Sequence, residues 1–440
     1  MPSSAAPSAR RRFAPRLLPT PAAADRQEAW TRDAIRWALT LLAFFANSNF
    51  HERMIPGGED SVAQQVIILL MWSTIIVLSF LRRPVLAIDW TPGLWMSVLF
   101  YALAVISCLW TQDYVGVSKS IAMTTSLLGA WRLTVSLPFD DIVECALNAL
   151  MALSLASIGL ALAVPDIGVL SDFQHPGQWN GIFITKQALG IAAAVQLFLA
   201  AYRLLTTRRR RAYYVSVALA AIVCALGAGS RGGGALAIVS VLCVFMTGRS
   251  VGFARTLAFA PTLMALVGVW LIWYMTTTGY AYIYAFDTAI DFTERTFIWQ
   301  HALAHFSNAP WFGYGLNGFW GLKEVKDVFL EHHGWFLGNF HDGYIAIVME
   351  TGVVGLFIFI VSYLFYAARI QAQIDRSGEL SRDIAFSLVF TCMIFFIDFT
   401  ETYFLRSTNM LATFLMINIF IAFRKLPART APPGPRRRLA

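Results

Sequence analysis

Apolar side chains run along this chain in unbroken stretches rather than in alternation. A segment such as Val66-Ile67-Ile68-Leu69-Leu70-Met71-Trp72 has no period-two pattern, whereas the strands of a transmembrane barrel would alternate over about ten residues. Runs of roughly 20 apolar residues suffice to cross the ~30 Å hydrocarbon layer as helices. The pattern predicts such helices at about 35–50, 62–81, 92–110, 118–137, 142–164, 187–205, 213–229, 232–247, 256–275, 342–366, 384–399 and 404–423, twelve in all. The expected fold is all-α and polytopic.

The polar stretches set the organisation. Residues 1–33, rich in Ala, Pro, Ser and Arg, read as a disordered cytoplasmic tail, 34–275 as nine membrane helices, 276–341 as an outer loop, 342–423 as three further helices and 424–440 as a basic cytoplasmic tail. Loops longer than about 12–15 residues are usually functional or disordered, and the long loop is rich in Trp, Phe, Tyr and His, a composition that argues against disorder. Within it, Glu294 to Phe306 reads as an amphipathic helix stopped near Pro310, followed by a turn at Gly313-Tyr314-Gly315. A folded lid on the membrane surface is expected.

Composition narrows the class. Hydrophobic residues make up 57% of the 440 and charged ones 14%, against roughly 25% charged in soluble domains, which excludes a soluble enzyme. Cys108, Cys145, Cys224, Cys243 and Cys392 all lie in apolar runs without C-x-x-C spacing and read as small core residues. The net charge of +8 sets topology rather than suggesting nucleic acid. With a cytoplasmic amino terminus, 25 of the 34 Lys and Arg fall inside and eight outside, Arg132 lying within a span, as the positive-inside rule requires. His51, His175, His301, His305, His332, His333 and His341 then all face outward.

The chemistry-bearing candidates gather at that outer side. Arg231, in Gly229-Ser230-Arg231-Gly232-Gly233-Gly234, sits in a glycine-rich hinge whose helix start would offer N–H donors to phosphate; it reads equally as an arginine snorkelling to lipid headgroups. Arg295 opens the lid helix and offers a bidentate fork, or a surface pair with Glu294 or Asp291. His341, at a membrane entry point beside the loop and near arginines, is a candidate general base, or a hydrogen-bonded interfacial residue. Lys186 at another outer helix start is a point charge for phosphate or a snorkelling lysine. Asp398 and Glu401 either orient a basic residue or hydroxyl, or mark the water boundary. His301 and His305, four apart, have the spacing of a zinc pair but lack an H-E-x-x-H frame, so no metal is expected.

The order of these motifs carries more than any one of them. Gly229-Ser230-Arg231-Gly232, then Arg295-Thr296, Ile298 and Trp299, then Pro310, Gly313 and Gly315, then His341, Gly343 and Tyr344, then Glu350 and Gly352 resemble the O-antigen ligase and polysaccharide polymerase family, most of all its exopolysaccharide-polymerase branch. The resemblance implies a GT-C-like, lipid-sugar-dependent glycosyltransferase of the bacterial inner membrane, with a periplasmic site, no cofactor and an inverting, metal-independent reaction. Its donor would be an undecaprenyl-pyrophosphate-linked oligosaccharide; its acceptor, a second glycan for a polymerase or lipid A-core for a ligase, with a chain-length regulator as a further partner and no nucleic acid. Arg231 and Arg295 would bind the pyrophosphate, His341 would help deprotonate the acceptor, and Lys186, Ser230, Trp299, Tyr344 and Glu350 would contribute to substrate binding. A lipid-linked sugar transporter is the alternative of another class, although transporters place binding residues near the midplane. The chain departs from the family where Thr185-Lys186-Gln187 replaces His-Lys-Asn, and where Asp342 follows the histidine in place of Asn; a carboxylate beside His341 would weaken it as a base unless the nearby arginines dominate.

Overall fold

A computed structural model describes residues 21–47, 62–82, 84, 87–111, 113–171, 176–279, 282–285, 288–291, 295–333, 338–378, 380–406 and 409–425. It is an all-α bundle. In chain order the main helices are α1 Pro21–Asn47, α2 Val62–Phe80, α3 Pro92–Ile106, α4 Tyr114–Ser136, α5 Phe139–Ala163, α6 Lys186–Thr206, α7 Arg211–Ala228, α8 Arg231–Thr247, α9 Val251–Leu257, α10 Ala260–Thr278, α11 Arg295–Ala304, α12 Lys323–His333, α13 Gly343–Ser377, α14 Arg382–Ile397 and α15 Met410–Ala422. The central part of each expected span is helical. Among the described residues, six helices are long and apolar enough to cross a membrane: Pro92–Leu109, Phe139–Ala163, Lys186–Thr206, Arg211–Ala228, Val251–Thr278 and Gly343–Ser377. Gln65–Phe80, Gly232–Thr247 and Met410–Ala422 are shorter apolar helices.

Two regions differ from the sequence expectation. The tail expected through residue 33 is already helical from Pro21. Proline suits a first helical turn, and tertiary contacts hold the turns after it: Thr31 is buried, Arg32 pairs with Asp141 at 2.6 Å, and Glu28 meets Arg82 at 3.6 Å. The outer loop carries more than one helix. An antiparallel pair, β1 Tyr282–Ala285 with β2 Thr288–Asp291, precedes α11, and α12 follows it.

The two ends of the bundle differ in chemistry. At the end assigned by charge to the cytoplasm, Arg203 pairs with Asp140 at 2.6 Å and Glu144 at 2.9 Å, and Arg424 with Asp383 at 2.9 Å. Each of these two cations has an acidic partner on another segment, so the charges close the bundle on itself. Lys186 begins the 21-residue helix whose last turn carries Arg203, and the rise of 1.5 Å per residue puts the two roughly 25 Å apart. The candidate residues therefore occupy the opposite end.

Helix α13 is broken there. Gly352 has φ 68° and ψ −171° inside an otherwise helical run, a region that is essentially glycine-only. The backbone groups freed by such a break need other partners in a membrane, and residues 310–315 supply them. Tyr314 N donates to Met349 O at 2.8 Å and Gly315 N to Glu350 O at 3.1 Å, while Val353 N donates to Pro310 O at 2.9 Å. The Pro310–Gly315 and Glu350–Gly352 motifs are thus two halves of one splice between the lid and a membrane helix.

Candidate active site

Three helices begin at one cleft. Helices α6 and α8 meet closely at their amino-terminal ends, where Gly190 lies against the Ser230 side chain and Gly233 against the Gly190 carbonyl, with no room for a Cβ at either position. Each start is capped from its own chain: Thr185 Oγ1 accepts from Ala188 N at 3.1 Å, and Ser230 Oγ from Gly233 N at 3.3 Å. Helix α11 starts with Arg295. The first amides of a helix have no intrahelical acceptor, and its amino-terminal end carries a partial positive charge.

The cleft between them has a volume of about 410 Å³. It is lined by Lys186 and Gln187 of α6, by Ser230, Gly232 and Gly233 at the start of α8, by Arg295, Thr400 and Glu401, and by the apolar Ile191, Leu236, Phe396 and Ile397. Arg231 is the first residue of α8, between two residues of the cleft wall; its side chain lies outside the described residues.

Arg295 is gripped by two consecutive residues of the turn after α14. Its Nη1 donates to the Thr400 carbonyl at 2.5 Å and its Nη2 to Glu401 Oε1 at 3.1 Å. The other oxygen of that carboxylate, Oε2, accepts from His341 Nδ1 at 3.4 Å. Arg295 and His341 thus share Glu401. His341 itself has a left-handed φ of 50°, unusual for a residue with a Cβ, and Asn339 Oδ1 accepts from its backbone N at 3.2 Å.

The turn presenting Glu401 is fixed by Asp398. This buried residue accepts through Oδ1 from Tyr403 N at 2.7 Å and Phe404 N at 3.3 Å, while its carbonyl accepts from Gly343 N at 2.7 Å. Asp342, at the N-cap of α13 and outside the spanning helix, is also buried, and its Oδ1 accepts from Ile345 N at 2.7 Å. Burial pushes its carboxyl up to about 7, against the opposing pull of the Ile345 and Tyr344 amides. The carboxylate expected to disturb His341 is turned into its own helix, and Glu401 touches the imidazole instead.

The substrate-binding set read from the sequence therefore divides. Lys186, Ser230 and Arg295 line the cleft. Trp299 and Tyr344 are buried and serve as ties: Trp299 Nε1 donates to Phe340 O at 2.8 Å, and Tyr344 Oη to Phe395 O at 2.9 Å. Glu350 accepts from Asn317 N at 3.3 Å and lines a separate, very small cavity with Lys119 and Arg406. His301 and His305 pack beside Phe319, and His301 also against Phe297 and Phe329. Glu401, which belongs to none of the family motifs and is expected from sequence either to orient a basic residue or hydroxyl or to mark the water boundary, contacts both Arg295 and His341. Its only sequence signal is an acidic side chain at the outer end of an apolar run.

Residues 216–360 match the family model described as O-antigen ligase. The matched stretch contains Arg231, Arg295, His341 and the α13 break, but neither Lys186 nor Glu401. The chain is also similar to the Exopolysaccharide production protein ExoQ of Rhizobium meliloti (strain 1021), with 28% identity over 234 residues, 51% of this chain and 46% of that protein. The match spans about half the length of this curated relative. In sequence the chain is O-antigen ligase/polymerase-like, and in structure a multi-pass helical protein.

Proposed function

We propose that this chain is an inner-membrane glycosyltransferase that joins undecaprenyl-pyrophosphate-linked glycans in the periplasm, acting as an exopolysaccharide or O-antigen polymerase. The observation that carries this reading is the meeting of the α6 and α8 amino termini with Lys186 and Arg295 in a cleft whose wall residue, Glu401, also holds His341. The excess of basic residues in the segments assigned inward supports placing both termini in the cytoplasm.

The chemistry rests on the charges. Breaking the anomeric C–O bond to the lipid diphosphate moves an electron pair onto the leaving oxygen. Donors and cations already fixed around that oxygen stabilise the developing charge without reorganising, which is the main way a site lowers such a barrier. Arg295 supplies a guanidinium charge anchored by Thr400 and Glu401, Lys186 a point charge, and Gly232 and Gly233 the start of a helix. His341 takes the proton of the acceptor hydroxyl as its oxygen attacks the anomeric carbon. Attack from the face opposite the diphosphate inverts that centre. The reaction written this way requires no metal.

The relative's role in exopolysaccharide production favours the polymerase form, whereas the matched family is described by ligation. Purified protein given only the lipid-linked repeat unit, with products sized, tests the reading: polymer is expected. Product appearing only after lipid A-core is added identifies a ligase instead, and no transfer in either mixture overturns the reading.

A further inference from the structure

We propose that Glu401 is the positioning residue of this transfer, setting the tautomer of His341 and stabilising its charged form while holding the Arg295 fork. The inference rests on the function proposed above and adds to it a residue outside the matched 216–360 stretch.

A carboxylate only accepts hydrogen bonds when ionised. With Oε2 facing His341 Nδ1 at 3.4 Å, the ring proton sits on Nδ1 and the Nε2 lone pair is left for the acceptor hydroxyl. The contact is long, as base–orienter contacts often are before substrate binds. During transfer the acceptor O–H bond breaks and an Nε2–H bond forms. The acceptor oxygen bonds to the anomeric carbon, and the electrons of the departing C–O bond go to the diphosphate. The resulting imidazolium then lies beside a carboxylate, which stabilises it, by the same logic that a buried acid serves in hydrolytic triads.

The backbone of Glu401 is built to hold this position. Its N donates to Ile397 O at 2.9 Å, and the Asp398 carboxylate shapes the turn on its far side. Oε1 keeps Arg295 Nη2 at 3.1 Å, while Arg295 has a second hold on Thr400 O. Arg295 therefore remains anchored if the Glu401 charge is removed. That charge also faces a cleft suited to an anion, so it opposes donor binding while assisting proton transfer. The two effects have opposite signs, and a merely structural ion pair would not separate them.

The test is Glu401→Gln in the full-length protein in lipid nanodiscs, with lipid-linked repeat unit as substrate and thermal unfolding measured alongside. Turnover is expected to fall at least tenfold while the KM for donor stays equal to or below that of wild type. Turnover within twofold of wild type overturns the proposal. So does a joint loss of turnover and donor affinity, which would make Glu401 only a brace for Arg295. Should Glu401→Gln fail to accumulate, Glu401→Asp keeps the charge but shortens the reach; wild-type turnover in that variant also overturns the proposal. Absence of transfer by the wild-type protein itself counts against the proposed function, not against this assignment.

Discussion

The indole of Trp299 is hydrogen-bonded to the carbonyl of Phe340 at 2.8 Å, which ties the helix that begins with Arg295 to the residue immediately before His341. Both groups are buried. Trp299→Phe keeps most of the apolar volume and leaves that carbonyl without its donor, a loss of about 1–3 kcal/mol. The expected outcome is a folded protein with a lower unfolding midpoint and several-fold slower transfer, read by thermal shift and product sizing. Unchanged turnover would show that the tie does not register the two catalytic elements.

Removing cations at the cleft should abolish transfer without unfolding the protein. Arg231→Ala and Arg295→Ala are each expected to lower turnover by roughly a hundredfold or more, the scale seen when a fixed donor to a developing negative charge is lost, and His341→Ala by a similar factor through loss of the general base. Arg295→Lys retains the charge, but a lysine cannot reproduce the fork that reaches Thr400 and Glu401 together. It should recover less than a tenth of wild-type turnover. Full recovery would mean that charge alone suffices.

Gly352→Ala probes the splice between lid and helix. A Cβ at this position would overlap the Trp311 carbonyl, and the backbone conformation is itself worth about 1–3 kcal/mol of strain for any residue other than glycine. The variant should unfold at a markedly lower temperature and accumulate poorly. Wild-type thermal behaviour would show that the break is dispensable.

Asp342→Asn separates the cap from the charge. Asn keeps the acceptor for Ile345 N, and both residues cap helices well. Because the folded-state value of Asp342 is raised to about 7, above the ordinary ~3.9, the wild type loses stability as pH climbs between those values and carries the full penalty above the upper one. The stability gain of Asp342→Asn should therefore be small near pH 4 and grow to roughly 4 kcal/mol by pH 8, followed by unfolding midpoints across that range. A gain that shrinks with rising pH would reverse the assigned sign.

The helical frame was legible because an apolar run in lipid has one outcome: its backbone must pair internally. The clustering of Lys186, Ser230 and Arg295 was legible from their positions at helix starts on one side of the membrane. The placement of Trp299, Tyr344 and Glu350 outside the cleft lining was not, because motif order gives neighbours along the chain and not which face of a helix turns inward. Gly352 read as part of a family motif, with nothing in the apolar run to mark a broken helix. Glu401 comes near the shared cleft only through a turn shaped by Asp398, a tertiary arrangement that leaves no periodic trace.

The central claim, that a cationic cleft at the outer helix ends holds a diphosphate, is tested most directly by binding without catalysis. Undecaprenyl pyrophosphate and undecaprenyl monophosphate would be titrated against wild-type and Arg295→Ala protein in nanodiscs. The diphosphate is expected to bind wild type more tightly than the monophosphate does, and Arg295→Ala to lose at least tenfold of that affinity. Equal binding of the two lipids, or equal binding by the two proteins, would contradict it.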